Sequence, residues 1–290
     1  HPHPLPRTPH FFSGIERSDS RLDLCILDSA GKILKQQAIS TEPEAMLAWA
    51  REIEAMLPAG NCAKLCIEQP CPGLLNFFIQ FDFLELYLIN PITLKRYREA
   101  FNPSKAKDDK KDAFHLARLI LEKHDILHVW TPDDAQTRKL AILTQKRRQL
   151  VDLRVSATNR LTQVLKDCFP QALKITGRDL HARIALSFLE KWPTLQALQK
   201  ARPATIRKFY YLHGSRRPKP IEERLALIAQ AVPICNDPII LECNAEFIRA
   251  LVTQLRGFDK SIRRFDALID EAMQTHQDAL IFTSLPGAGT

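Results

Sequence analysis

The rhythm of apolar and polar positions changes partway along the chain. Over the first third, apolar runs of strand length alternate with stretches whose apolar residues recur every three or four positions. "FFSGIE" and "LDLCILD" read as strands, and "SAGK" as the turn into a third, "ILKQQAIS". "TEPEAMLAWAREIEAML" has helical spacing, with Thr41 as N-cap and Pro43 in the first turn. "AKLCIEQ" is a buried-type strand, "PGLLNFFIQF" a helix, "LELYLIN" a strand and "PITLKRYREAF" a helix. A further helix starts in "KAKDDKKDA" and ends near His124. From Pro132 the strand signals stop. "DDAQTRKLAILTQKRRQLVDLRVSATNRLTQVLKDCF" reads as one long helix ended by Pro170. Its seam is Leu140, Leu143, Leu150, Leu161 and Val164, interrupted by Arg147 and Arg154. A second long segment places Ala245, Ile248, Val252, Leu255, Ile262 and Ile269 at helical spacing. The two segments are expected to pair as an antiparallel coiled coil, to carry a dimer interface, or to pack as amphipathic helices within one subunit.

Three strands in succession can form an antiparallel meander, to which the later two add by right-handed crossovers. That is the element order of an RNase H-like domain, although other α/β folds share parts of it. The expected fold class is therefore α/β: an RNase H-like mixed sheet with flanking helices, followed by a long-helix, coiled-coil-like α-helical region. The expected divisions are a disordered lead over 1–10, the sheet-bearing domain over 11–128, a helical linker or dimerisation region over 129–280, and the start of a further domain over 281–290.

Composition narrows the partners. The chain has 290 residues, 45% of them hydrophobic, which is ample for a core. A net charge of +8 and a pI near 9.2 favour polyanions, nucleic acid first and an anionic membrane surface second. No apolar run reaches membrane-spanning length, and the start lacks a signal peptide's apolar segment. The seven cysteines form no CxxC pair; Cys62, Cys66 and Cys71 are the nearest grouping, and no zinc site is expected from them. Their odd number and irregular spacing suit a reducing, cytoplasmic setting.

The acids carry the candidate chemistry. Glu16 closes the first strand and Glu68 the fourth, and ligands gather at the carboxyl ends of strands in α/β sheets. Asp109 and Asp112 stand three apart on one side of a helix start, whose partial positive charge keeps them ionised. Four converging carboxylates repel one another unless cations lie between them. Two Mg²⁺ ions roughly 4 Å apart would resolve that and serve phosphodiester cleavage. Each acid also has a plain reading: Asp-x-x-Asp is commonly a cap, and Glu16 could be an ordinary strand-end residue. Glu68 closes an apolar strand, where a carboxylate usually has a partner. His115, one turn past Asp112, could assist or simply pack. Around the aspartates stand Lys105, Lys107, Lys110 and Lys111, and the long helix adds Arg138, Lys139, Lys146, Arg147, Arg148, Arg154 and Arg160. These are candidate phosphate contacts, beside the plain reading of a solvated face. A phosphate-binding Gly-rich loop, HExxH and GxSxG are all absent.

These residues carry a family resemblance. "GIERSDSRLDLCILDSAGK" resembles the opening segment of the DEDD transposases of bacterial insertion sequences, the family that includes Piv-type DNA invertases. "CIEQPCPGLL" is similar to the family's second motif and "LINPITLKRYREAFNPSKAKDDKKDA" to its third. The long helix resembles the family's linking helix, and "FTSLPGAGT" the start of its C-terminal domain. The resemblance implies an acidic tetrad of Glu16, Glu68, Asp109 and Asp112, holding Mg²⁺ or Mn²⁺ for DNA strand cleavage and exchange. It also implies a dimer or tetramer, a structured guide RNA in several members, and a nucleoid-associated protein with no membrane. Two departures stand out. The first acid is normally Asp, and Glu16 adds a methylene; misplacement on the ångström scale can lower a rate on the order of 10²-fold. The family's serine nucleophile lies in a C-terminal domain beyond Thr290, so the chain is expected to be C-terminally truncated. The alternatives are a non-catalytic nucleic-acid-binding remnant and an RNase H-fold nuclease or junction resolvase.

Overall fold

In the computed structural model, which describes residues 8–69, 72–101, 109–177, 179–215 and 217–284, five apolar runs form one sheet. They are Thr8–Arg17 (β1), Arg21–Leu27 (β2), Ile33–Ser40 (β3), Asn61–Glu68 (β4) and Leu84–Ile89 (β5). The order across the sheet is β3-β2-β1-β4-β5. The first three strands are antiparallel neighbours, while β4 runs parallel to β1 and β5 parallel to β4. This is the meander with two crossovers that the element order predicts. β1, β2 and β4 are buried along most of their length, whereas the edge strand β3 alternates between exposed and half-buried positions.

Two local expectations are corrected. β1 begins at Thr8, so the strand reaches into the stretch expected to be a disordered lead; Pro9 is accommodated where the ladder to β4 shifts register between Pro9 and Phe11. The first helix, Pro43–Met56 (α1), starts one residue later than expected. Its N-cap is Glu42, whose N–H donates to Ser40 Oγ, and not Thr41. Pro43 sets this boundary, because its fixed φ suits the first helical position. Proline likewise opens Pro72–Phe78 (α2) and Pro91–Phe101 (α3). Asp109–Lys123 (α4) completes this unit.

The sheet is covered on both faces. Phe11, Ile15, Leu24, Leu65, Trp49 and Phe78 build the core on the α1 side; Phe12, Cys25, Cys66, Tyr87, Leu116 and Ile120 build it beneath α4. Burial pushes the Cys25 thiol up to about 11, so it packs as an apolar group.

A second compact unit starts at Asp133 and is helical among its described residues. Ala135–Cys168 (α5) is capped by Asp134, which accepts from the N–H groups of Gln136 and Thr137. Short helices follow: Gln171–Thr176 (α6), Arg183–Lys191 (α7), Leu195–Gln199 (α8), Pro203–Leu212 (α9) and Pro218–Gln230 (α10). Then come Pro238–Gln274 (α11) and Ala279–Ser284 (α12). Cross-helix pairs Thr137–His276, Arg147–Asp266 and Arg154–Asp259 show α5 and α11 lying antiparallel in a constant register. Leu161 and Leu165 bury against a core that includes Ile248, Val252 and Leu255, and Phe188, Trp192 and Phe209 stack edge to face within it. The two long segments thus pack against each other within one chain. Among the described residues no helix is long and apolar enough to cross a membrane.

Candidate active site

In the parallel β1–β4 pair Ile15 stands opposite Ile67, so Glu16 and Glu68 follow at the same carboxyl edge. Strands pair about 4.8 Å apart, which makes the two acids near neighbours. Both fall on the face that α4 covers, the face of Gly14 and Cys66 two residues earlier. Glu16 is buried at 5% exposure, and Glu68 is half-buried.

Gly14 sets how closely α4 approaches. A Cβ there would lie 2.1 Å from the Ala113 carbonyl oxygen and 2.5 Å from the Ala117 nitrogen, so strand and helix touch through backbone. Ala113 follows Asp112, and Gly14 precedes Glu16 by two residues. Backbone contact therefore delivers Asp112 to the edge where Glu16 and Glu68 stand. Asp112 is itself buried.

Among the described residues, a cation meets Asp112. Arg98, on α3, donates from Nη1 to both oxygens of Asp112, at 2.7 and 2.6 Å. The bond to Asp112 pushes the guanidinium's pKa up against the effect of burial, and the fields of Glu68 and Glu16 add to it. Asp112 is thus in contact with Arg98, while Glu68 and Glu16 act on it only through their fields. His115, buried one turn beyond Asp112, is pushed down chiefly by desolvation, opposed by Asp112 and reinforced by Arg98.

Asp109 opens α4, but its side chain and that of Lys110 lie outside the described residues, as do Lys105, Lys107 and Asp108 entirely. Among the described residues no three Asp, Glu, His or Cys side chains are grouped closely enough to hold an ion. The donor chemistry of the acids still fits a hard divalent cation such as Mg²⁺ or Mn²⁺, which takes carboxylate oxygen and water.

The basic candidates divide by where they point. Lys111 is exposed on the first turn of α4, and Arg138 and Lys139 are exposed on α5 with no ion pair among the described residues. Lys146 reaches only Gln149. Arg148 pairs with Asp152 at the surface. Arg147 and Arg154, expected both to interrupt the seam and to meet phosphate, instead turn onto Asp266 and Asp259 of α11. The positive charge belongs to the helical unit. Residues 133–290 hold 25 Lys+Arg against 16 Asp+Glu, while residues 1–132 hold 16 against 17.

Sequence reasoning missed Arg98, Gly14 and the buried Asp23, which stands opposite Glu16 in the β1–β2 ladder. Arg98 meets Asp112 across 14 residues of chain, so no local pattern reports the contact. Asp23 had a readable signal, an acid inside the apolar run "LDLCIL".

Sequence similarity to known proteins points to one family. A family model of the IS110-type DEDD class, described as a transposase, matches residues 13–170, which take in all four candidate acids and α5. The chain is 23% identical to the "Mini-circle putative transposase for IS117" of Streptomyces coelicolor, over 96% of its own length and 68% of that protein's. It is 25% identical to the "Putative transposase y4uE" of Sinorhizobium fredii, over 72% of its length and 58% of that relative's. It is 27% identical to the "Insertion element IS900 uncharacterized 42 kDa protein" of Mycobacterium paratuberculosis, over 63% and 45%. With more than half of its length matched, the chain belongs to the IS110-type DEDD transposase family.

Proposed function

We propose that this chain carries the strand-cleaving part of a DNA transposase, with Glu16, Glu68, Asp109 and Asp112 as an acid site for Mg²⁺ or Mn²⁺. The observation that carries the reading is the placement of Glu16 and Glu68 at one carboxyl edge of the sheet, with α4 brought against β1 at Gly14 beside Asp112. Carboxylates gathered in that way need positive charge beside them. Divalent ions bound there would supply Lewis-acid stabilisation of a phosphodiester under attack and of its leaving oxygen.

The chain's own groups do the positioning. Strands buried along most of their length hold Glu16 and Glu68 rigidly, and Arg98 holds the Asp112 carboxylate in place through two hydrogen bonds. A guanidinium has five N–H donors, and only Nη1 serves Asp112, so Arg98 can also engage a phosphate oxygen. Arg138, Lys139, Lys146 and Arg160 on α5 offer further phosphate contacts, and the charge excess of the helical unit suits DNA and a structured guide RNA alike. Strand exchange and assembly into a dimer or tetramer complete the reading. Titration calorimetry with Mg²⁺ and Mn²⁺ tests it. Binding to the wild-type chain is expected, with loss in Asp109→Ala and Asp112→Asn. Identical isotherms in all three would sink the acid-site assignment.

A second reading is nucleic-acid binding without cleavage. It is favoured by the engagement of both Asp112 oxygens with Arg98 and by the open spacing of the described ligand-type residues. It predicts DNA or structured-RNA binding that weakens log-linearly with salt and survives Glu16→Gln and Asp112→Asn. Such binding without metal uptake would select this reading over the first.

A further inference from the structure

Asp23 lies directly opposite Glu16 in the antiparallel β1–β2 ladder, so the two carboxylates share one face of the sheet. Both are buried, Asp23 at 1% exposure and Glu16 at 5%. Like charges facing each other across a ladder destabilise it, and burial sharpens the repulsion. Arg21 answers the charge of Asp23. Arg21 donates from Nε and Nη2 to Asp23 Oδ2, at 3.0 and 2.8 Å. That grip orients the carboxylate and leaves Oδ1 as its remaining acceptor. Oδ1 is buried and takes no hydrogen bond among the described residues. A buried charged oxygen without a partner is destabilising, and a leucine here would continue the apolar run without that penalty. Arg98 bonds Asp112 through Nη1, and no bond from it reaches Asp23 Oδ1.

We infer that Asp23 is a fifth carboxylate of the cation site, acting through Oδ1 beside Glu16 on the divalent ion, Mg²⁺ or Mn²⁺, that the acid cluster takes. The inference rests on the reading of Glu16, Glu68, Asp109 and Asp112 as a metal site. An ion shared by Glu16 and Asp23 satisfies the oxygen that Arg21 leaves over. It also gives the ion a ligand on β2, a second anchor where Glu16 has a longer and looser side chain than aspartate.

Mn²⁺ binding to the full chain tests this, read by calorimetry and by the electron paramagnetic resonance signal of free Mn²⁺. Wild type is compared with Asp23→Asn, Asp23→Ser, Glu16→Gln and Asp112→Asn, with circular dichroism reporting the fold. Asp23→Asn is expected to weaken Mn²⁺ binding about 10–100-fold, as loss of a supporting group does. Asp23→Ser, smaller and also neutral, gives a second measure of the same loss. Wild-type affinity in a folded Asp23 variant, with binding lost in Glu16→Gln and Asp112→Asn, would overturn the role of Asp23 alone. Unchanged binding in all four variants, or no uptake by the wild type, overturns the metal reading and this inference with it.

Discussion

Arg98 shows how much one side chain can decide. Its salt bridge holds a carboxylate that is 4% exposed, while the guanidinium is 31% exposed. Arg98→Gln leaves Asp112 without its charge partner, and the predicted loss of stability is about 2–3 kcal/mol. That is below the value for a fully buried pair because Arg98 is partly solvated. Urea unfolding measures the loss. His115 gives a pH signature. Burial disfavours its imidazolium, so between the depressed folded pKa and the ordinary value near 6.5 the unfolded chain binds more protons than the folded one. The contribution of His115 is present above that range and lost as pH falls through it. His115→Gln should flatten the acid side of the stability profile, followed by thermal melts from pH 7.5 to 5.

At the scale of elements, α5 and α11 were legible as helices but not as partners. Their apolar spacing is in the sequence; that Arg147 and Arg154 complete the seam is not, because their counter-ions lie more than a hundred residues away on α11. The strands were legible for a related reason: apolar runs of strand length bounded by turns report burial directly. Glu16, Glu68 and Asp112 were readable as strand-end and helix-start acids. The arginine among them was not, because its contact is tertiary. The same logic gives a prediction for the seam. Arg154→Asp alone sets two acids together between α5 and α11, and adding Asp259→Arg restores an opposite pair. A double-mutant cycle on thermal stability should return a coupling of about 1 kcal/mol, modest because both groups keep some solvent contact. Additive effects would mean that the pair contributes no register information.

For the molecule as a whole, each unit has a core of its own: one around the sheet, the other among the helices. Calorimetry is therefore predicted to resolve two transitions. Gly14→Val should lower only the transition of the sheet-bearing unit, since its side chain collides with backbone of α4 and nothing in the helical unit changes. A single transition, shifted as one, would show the units to be energetically inseparable. The contact at Gly14 also bears on how such a chain can change over generations. Relatives at 23–27% identity have replaced most of their side chains. A spacing set by side chains would wander under such turnover, whereas one set by two backbones meeting is indifferent to it as long as one hydrogen atom stands where a methyl would be. Lineages in this family that lose the glycine should therefore be those in which the acids have also drifted from their places. Sequencing of degenerate copies can look for that order of decay.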